Sequence, residues 1–168
     1  MGVALRAPQR LSPHHKLSGF SCGVPTLDNW LQKHALQAAA AGTAKTFVVC
    51  DSNDEVVGYY SLASGSVVQE LATERVRKGT GKFPIPIILL ARLAVSAEHQ
   101  SLGIGHGLLK DAVSRVAKLS EDTGIRALAV HVIDEPVKSF YSQYGFQESP
   151  FEPNLLMILL KDLRLYFN

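Results

Sequence analysis

The chain has 168 residues, of which 46% are hydrophobic and 19% charged, and its formal net charge is +2. This composition predicts a globular protein and excludes both a disordered chain and a polycation, so attraction to nucleic acid must come from local charge clusters. Cys22 and Cys50 lack metal-ligand spacing, which predicts reduced thiols, and the isolated His14-His15 pair predicts no metal site. The longest strongly apolar run, Ile85–Ala91, is too short to span a membrane, and no signal peptide is evident. We therefore predict a cytoplasmic protein.

Hydrophobic periodicity predicts helices and strands in alternation. The polar and basic segment Gln69–Lys82 is predicted to form a short helix and a loop. The other predicted elements, in chain order, are helix Pro25–Ala41, strands Lys45–Asp51 and Glu55–Val68, strand Ile87–Val95, helix Gly103–Ser120, strand Ile125–Ile133, helix Pro136–Tyr144 and strand Leu155–Lys161.

The order of these elements predicts the fold class. The turn Ser52–Asp54 joins the first two strands as an antiparallel hairpin, whereas the later strand–helix–strand units favour parallel pairing. The near-continuous apolar strand Ile87–Val95 indicates burial on both faces. We predict an α/β (α+β) fold with a mixed central sheet flanked by helices, in a single domain of residues 1–168.

A glycine-containing loop, Gln100–Gly105, follows the buried strand and opens the long helix. Glycines permit positive φ angles and close approach by a ligand, and the first N–H groups of a helix lack intrahelical partners. Together with the helix dipole, these features favour an anion such as a pyrophosphate. An ordinary glycine-rich turn has the same pattern. The spacing is neither that of a dinucleotide fingerprint nor that of a P-loop, which would need a lysine.

Three collinear motifs resemble the GNAT superfamily of N-acetyltransferases. They are Leu90-Ala91-Arg92-Leu93-Ala94-Val95, then Gln100-x-x-Gly-x-Gly105, then Phe140-Tyr141-x-x-x-Gly145-Phe146. Further motifs resemble one bacterial branch, the acetyltransferase toxins of toxin–antitoxin pairs. They are Ser21-Cys22-Gly23, Leu27-Asp28-x-Trp30-Leu31, the run from Val57 to Leu62, and Ile85-Pro86.

The resemblance implies an acetyl-CoA site. The strand ending at Val95 is expected to splay from its parallel neighbour, which starts near Ile125, so that the pantetheine arm lies in the gap. Backbone amides at the strand end would bind that arm, and those of the loop would bind the pyrophosphate. The implied contacts are Leu93, Ala94, Val95, Gln100, Ser101, Leu102, Gly103, Ile104 and Gly105. Many members place an assisting Asn where this chain has Asp134-Glu135-Pro136, so that contact stays open.

The resemblance also implies that Tyr141 is the general acid. A phenol with a pKa of about 10 can protonate or hydrogen-bond the departing CoA thiolate. The residues alone allow a second interpretation, in which Tyr141 is an aromatic that packs beside Phe140. The competing Tyr144 lies one turn further on, outside the motif.

No general base is evident, since the strand Pro86–Val95 contains no carboxylate. An α-amino group has a pKa of about 7.7–8.0, against about 10.4 for lysine, so a useful fraction of it is already neutral near pH 7. The missing carboxylate therefore favours an α-amine substrate over a lysine. A role as base for Glu98, His131 or Asp134 would contradict this hypothesis, and His131 is expected to be a structural histidine.

A basic segment precedes the central strand and carries Arg75, Arg77, Lys78 and Lys82 without an acidic residue between them. Such runs are often solvated surfaces, but this one is a candidate for contact with tRNA phosphates. Arg92 lies inside an apolar strand, where a charge is costly unless it is paired or faces a cleft. It is expected either to contact tRNA or to pair with an acidic neighbour.

In the toxin branch the activity is acetylation of the α-amino group of aminoacyl-tRNA, which blocks translation. The resemblance implies a homodimer and a small ribbon-helix-helix antitoxin. Two alternatives stay open at this point. One is an acetyltransferase for another amine, such as a protein N-terminus or a polyamine, and the other is a non-catalytic acyl-CoA sensor.

Overall fold

The structure is a computed structural model that describes residues 4–167. Its strands are β1 Gln9–Arg10, β2 Lys45–Cys50, β3 Val56–Val67, β4 Ile85–Val95, β5 Ala127–His131, β6 Gln147–Glu148 and β7 Leu155–Leu159. Its α-helices are α1 Pro25–Lys33, α2 Ala35–Ala41, α3 Glu74–Arg77, α4 Ile104–Leu119 and α5 Glu135–Ser142. Short 3₁₀ turns cover Gln69–Leu71, Ala97–His99 and Leu160–Leu165. Within residues 4–167, no helix has the length and apolar character that crossing a membrane requires.

The strands form one mixed sheet in the order β1-β2-β3-β4-β5-β7-β6. β4 and β5 are parallel, whereas the pairs β1/β2, β2/β3, β5/β7 and β6/β7 are antiparallel. The parallel ladder joins Ile87–Leu89 to Ala127–Ala129, yet β4 continues to Val95 and β5 to His131. The predicted mixed sheet flanked by helices is confirmed, and the short ladder agrees with the expected splay.

The chain divides into two compact units. The first comprises residues 4–63 and 91–112, and the second comprises residues 64–90 and 113–167. The division runs through β3 and β4, so each of these strands contributes to both units. Each unit has a hydrophobic core of its own, which is described separately below.

The core of the first unit is built around Tyr59 of β3, whose side chain is fully buried. Its hydroxyl donates a hydrogen bond of 2.7 Å to the carbonyl oxygen of Leu27 in α1. The rings of Phe20 and Trp30 lie 5.6 and 6.2 Å from the Tyr59 ring, and Leu31 is buried in the same core. Aromatic packing and one partly buried hydrogen bond therefore hold α1 against the sheet.

The two predicted reduced thiols lie in this first unit. Cys22 and Cys50 are both buried and neither forms a disulfide, which confirms the prediction. Burial raises the pKa of each thiol to about 11, so both are protonated at neutral pH.

The core of the second unit includes Val76 of α3, which packs in one cluster with Ile85, Ala127 and Met157. Thr73 caps α3, because its side-chain oxygen accepts a hydrogen bond from the backbone N–H of Val76. This is a typical helix N-cap, and it keeps a short, basic helix in place on the sheet.

Three sequence predictions need correction. The predicted helix Pro25–Ala41 is two helices, because His34 leaves helical geometry at φ −124°. The central strand begins at Ile85 rather than Ile87 and includes Pro86, whose carbonyl oxygen accepts from the Arg126 N–H at 2.9 Å. The short strands β1 and β6 were not predicted, since two residues carry no periodic signal.

A missing side chain at position 58 allows α4 to lie close to β3. A Cβ atom at Gly58 would lie 3.1 Å from Leu108 Cδ1, 3.2 Å from Ile104 Cγ2 and 3.4 Å from the Ala94 carbonyl oxygen. Ile104 is the first residue of α4, so this contact fixes where the helix begins. Interiors are packed too densely to absorb added atoms without displacement.

We predict that Gly58→Val lowers the free energy of unfolding by about 2 kcal/mol, because overpacking displaces α4. Gly65→Val on the same strand is the matched control, since a Cβ there meets only Ile87 Cγ1, at 3.9 Å. Urea unfolding followed by circular dichroism measures both. Equal stability of the two variants would contradict the close-packing argument.

Candidate active site

The loop that precedes α4 has the conformation expected of an anion-binding turn. Ser101 and Gly103 have φ angles of +68° and +82°. A Cβ at Gly103 would meet no heavy atom within 4 Å, so the side of the loop that this atom would face is open. Positive φ is rare for a residue with a side chain, and Ser101 therefore stores strain at this turn.

The side chain of Gln100 fixes this loop to its own unit. Its Nε2 group donates to the carbonyl oxygens of Cys22 and Val95, both at 3.0 Å. Two backbone bonds reinforce the connection, from Ser96 N to Val57 O at 2.8 Å and from Ala97 N to Ser21 O at 2.7 Å. Because both N–H donors of its side chain serve this internal role, Gln100 would offer a ligand its backbone N–H rather than a side-chain donor.

The other residues predicted to bind acetyl-CoA lie at the end of β4 and along the loop. Ala94 is buried, while Leu93 and Val95 are partly exposed. Leu102 is 65% exposed at the tip of the loop, and Ile104 packs at the Gly58 contact. Backbone groups, rather than side chains, are therefore what this segment can present to an acyl carrier.

Tyr141 lies on α5 of the second unit and is 3% exposed. Phe140 and Phe146 pack edge-on against its ring at 5.1 and 5.3 Å. Its hydroxyl makes no hydrogen bond to any group within residues 4–167. Burial raises its pKa above the ordinary value of a phenol, and the hydroxyl is therefore protonated throughout the neutral range.

Tyr144 has different surroundings. Its ring lies 5.5 Å from Phe140 and 5.1 Å from Phe167 near the chain end. The following Gly145 has a φ of +89°, and a Cβ there would lie 2.6 Å from the Tyr166 ring. This aromatic cluster indicates a packing role for Tyr144 and leaves Tyr141 as the better candidate acid.

The structure shows what surrounds each residue considered as a base. Asp134 caps α5, where its Oδ1 accepts from the Val137 N–H at 2.9 Å. His131, which was expected to be a structural histidine, is exposed at the end of β5. Glu98 is exposed in the turn before the loop. No group of three or more His, Cys, Asp or Glu residues in the described part of the chain could hold a metal ion.

The basic segment contains two kinds of cation. Arg75 forms a bidentate ion pair with Asp162, with distances of 2.8 and 2.7 Å. Arg77, Lys78 and Lys82 are exposed, and none of them has an acidic partner among the described residues. Only these three cations keep their full hydrogen-bonding capacity for a ligand.

Arg92 has an aromatic partner that the sequence did not predict. Its guanidinium carbon lies 3.8 Å from the centre of the Trp30 ring, and Trp30 in turn stacks on Tyr59. No carboxylate pairs with Arg92 within residues 4–167, which excludes the expected ion pair there. Burial lowers its pKa, but a guanidinium stays charged at neutral pH. The cation–π contact holds the charge while leaving its N–H donors unbonded to any described residue.

Comparison with known proteins agrees with this geometry. Residues 43–148 match the model of the acetyltransferase (GNAT) domain. The chain therefore belongs to the GNAT acetyltransferase family and is an N-acetyltransferase. It is 42% identical over 158 residues to a tRNA-acetylating toxin of Mycobacterium tuberculosis, with 94% of each chain covered.

Solved structures of the toxin AtaT have the same fold. AtaT complexed with acetyl-methionyl-tRNAfMet is 25% identical with a TM-score of 0.88, covering 98% of this chain and 100% of that one. AtaTR bound with acetyl-CoA is 26% identical with a TM-score of 0.82, covering 98% of each chain. A mutant AtaT bound to the C-terminus of the antitoxin AtaR is 26% identical with a TM-score of 0.81, again covering 98% of each.

We predict that Gln100→Ala loosens the loop, because two hydrogen bonds worth about 1 kcal/mol each are lost. Backbone amides of the loop should exchange with deuterium about tenfold faster or more, while those of β5 are unchanged. Hydrogen exchange with mass spectrometry measures this. Gln37→Ala, on the exposed side of α2, is the control, and unchanged exchange in Gln100→Ala would show that the loop is held by other contacts.

Proposed function

We propose that this enzyme transfers the acetyl group of acetyl-CoA to the α-amino group of aminoacyl-tRNA and so blocks translation as a toxin. The observation that carries the proposal is the 42% identity, over 94% of both chains, to a tRNA-acetylating toxin. The AtaT complexes with acetyl-methionyl-tRNAfMet and with acetyl-CoA support the substrate and the acyl donor. We further propose that residues 1–168 act as a single catalytic domain, since the matching family model takes residues from both units.

Acetyl-CoA would be bound mainly by backbone groups of the first unit. The open side of Gly103 and the positive φ of Ser101 and Gly103 leave room for a pyrophosphate beside the first turn of α4. The amides of Leu93–Val95 would bind the pantetheine arm, and the loop Gln100–Gly105 would bind the phosphates. Because these backbone donors are already ordered in the free enzyme, little conformational entropy would be lost when the ligand binds.

Tyr141 would act as the proton donor to the leaving group. Attack of a neutral amine on the thioester forms the amide bond, breaks the carbon–sulfur bond and leaves a CoA thiolate, while the proton lost by the amine restores the balance. A thiol has a pKa of about 8.5, well below that of this buried phenol, so full proton transfer from Tyr141 alone is uphill. Tyr141 would therefore donate a hydrogen bond to the thiolate and relay the proton of the amine.

The absence of a carboxylate from β4 agrees with an α-amine substrate. β4 contains no carboxylate, and the Asp134 carboxylate is engaged in capping α5. An amine that is partly neutral near pH 7 needs no base, whereas a lysine would. The rate should then rise with pH through the pKa of the substrate amine, and a profile governed by an enzyme carboxylate near pH 4 would contradict this.

The unpaired cations would contact tRNA. Arg77, Lys78 and Lys82 are exposed and carry no acidic partner among the described residues, so phosphates can replace their hydration water. Arg92, held by Trp30, would offer its free N–H donors to a phosphate or to the 3′ end. Arg75 is already occupied by Asp162 and would contribute least.

The proposal extends to partners and location. We propose that the enzyme is a cytoplasmic homodimer that a small ribbon-helix-helix antitoxin neutralises. The mutant AtaT bound to the C-terminus of AtaR supports an antitoxin partner. Sedimentation of the purified enzyme tests the dimer, and restored growth when a candidate antitoxin is co-expressed tests the partner.

We predict that the wild-type enzyme transfers labelled acetyl to charged but not to uncharged tRNA, and that Tyr141→Phe lowers kcat about 10²-fold or more. Its thermal midpoint and its acetyl-CoA affinity should hold, since the hydroxyl bonds no described group. Tyr144→Phe is the matched control, in the same helix-end cluster. Label on no tRNA, with acetyl-CoA still bound, would reject the toxin function and point to another amine or to a sensor.

We also predict that the free cations set the salt dependence. Arg77→Ala, Lys78→Ala and Lys82→Ala should each reduce the log–log slope of kcat/KM for tRNA against salt by up to about 0.9. Arg92→Gln should act likewise, whereas Arg75→Ala should change the slope less. The KM for acetyl-CoA should stay constant in all of them. Lys118→Ala, which removes an exposed cation near the end of α4, is the control. An equal change of slope in that variant would show that tRNA responds to the overall positive charge rather than to these particular residues.

A further inference from the structure

The only tryptophan of the chain contacts the only charged side chain of β4. The guanidinium carbon of Arg92 lies 3.8 Å from the centre of the Trp30 ring, which is direct van der Waals contact. Both residues belong to the first unit, and both are partly rather than fully buried. A ring that holds a cation in this way orients it without removing its charge.

Trp30 is itself held in place by the core of the first unit. Its ring stacks on that of Tyr59 with an interplanar angle of 12°, and Tyr59 is fully buried. Two residues further along α1, the side chain of Gln32 donates to the carbonyl oxygens of Leu17 and Phe20, at 3.2 and 3.1 Å. Ring and helix are therefore ordered independently of the cation that lies against them.

Arg92 lies close to the segment at which acetyl transfer is proposed. It directly precedes Leu93–Val95, the strand end whose amides would bind the pantetheine arm. At a rise of about 3.3 Å per residue, the Cα atoms of Arg92 and Val95 are about 10 Å apart. No described residue accepts a hydrogen bond from the Arg92 guanidinium, so the contact with Trp30 is what orients it.

We propose that Trp30 is a positioning residue for aminoacyl-tRNA, which acts by holding the Arg92 guanidinium near the end of β4 for the phosphates next to the 3′ end. This inference rests on the proposed function. An arginine that is already ordered loses less conformational entropy on binding an anion than a flexible one does. A carboxylate would also orient the guanidinium, but it would cancel the charge that attracts phosphate.

The decisive test asks whether a neutral residue changes the salt dependence. Trp30→Leu removes no charge, yet it should raise the KM for aminoacyl-tRNA about tenfold. It should also reduce the log–log slope of kcat/KM against salt by up to about 0.9, as Arg92→Gln does. The double variant should have the slope of Arg92→Gln alone, and the KM for acetyl-CoA should stay constant. An unchanged slope in Trp30→Leu would overturn the proposal.

Phe20→Leu is the matched control. The Phe20 ring also packs on Tyr59, at 5.6 Å, whereas the cation–π contact of Arg92 is with Trp30. The control should lower the thermal midpoint without changing the slope or the KM for tRNA. Equal changes of slope in Phe20→Leu and Trp30→Leu would mean that Trp30 only stabilises the core, and would overturn the proposal.

A second measurement leaves Trp30 unsubstituted and so does not depend on whether Trp30→Leu folds. Because the chain has a single tryptophan, its fluorescence reports on this contact. Arg92→Gln should change the emission of the free enzyme, and aminoacyl-tRNA should change the emission of wild type more than that of Arg92→Gln. Lys33→Gln, which removes an exposed cation from the same helix, is the control. An equal response to tRNA in wild type and Arg92→Gln would contradict the assignment.

The two proposals fail in different ways. Wild-type enzyme that binds acetyl-CoA but acetylates no tRNA would reject the proposed function, and the role of Trp30 with it. An active wild-type enzyme in which the effects of Trp30→Leu and Arg92→Gln on the KM for tRNA simply multiply would overturn the role of Trp30 alone.

Discussion

The absence of a side chain at Gly58 is the constraint on which the packing of the first unit depends. Because no Cβ occupies that point, Ile104 and Leu108 of α4 can lie directly on β3. The start of α4 is then set by packing rather than by the loop before it. Gln100 fixes the other end of that loop to Cys22 and Val95. A turn held at both ends can keep Ser101 in a strained conformation, which an isolated loop would relax.

The basic side chains fall into two groups, those that form structural contacts and those that stay exposed without a protein partner among the described residues. Arg75 and Arg126 have similar chemistry to Arg77, but one pairs with Asp162 and the other donates to backbone carbonyls. Arg92 is held by a ring rather than by a carboxylate, which would have neutralised it. An ion pair at the surface contributes little stability, so its main effect at Arg75 is to remove one charge from the available set. The basic segment is thus ordered by one ion pair and by backbone acceptors, and Arg77, Lys78 and Lys82 stay exposed without an acidic partner among the described residues.

The sequence predicted the helices and strands whose hydrophobic pattern extends over many residues. It did not predict interactions between residues that lie far apart in the chain. The amphipathic helix and the strand pattern gave the mixed sheet, because burial imposes periods of 3.6 and 2. The break at His34 could not be seen in the sequence, since the apolar stripe of the predicted helix Pro25–Ala41 continues across it. Asp162 lies 87 residues from Arg75 in the chain, and Trp30 lies 62 residues before Arg92, so neither pairing could be read from local spacing. The resemblance to a family drew attention to the loop Gln100–Gly105 and to Tyr141.

The chemistry of the site links substrate choice to the protonation of one phenol. Burial keeps Tyr141 protonated but also makes it a weak acid, so it cannot supply a proton that nothing replaces. With no carboxylate on β4 to accept the amine proton, the proposed mechanism would pass that proton to the departing thiolate. In that mechanism the number of protons balances only if the amine is neutral when it binds. An aminoacyl ester amine meets this condition near pH 7 far better than a lysine does, because its pKa is lower by more than about two units. The selectivity for an α-amine would then depend on the absence of a carboxylate from β4 as much as on the residues that bind the tRNA.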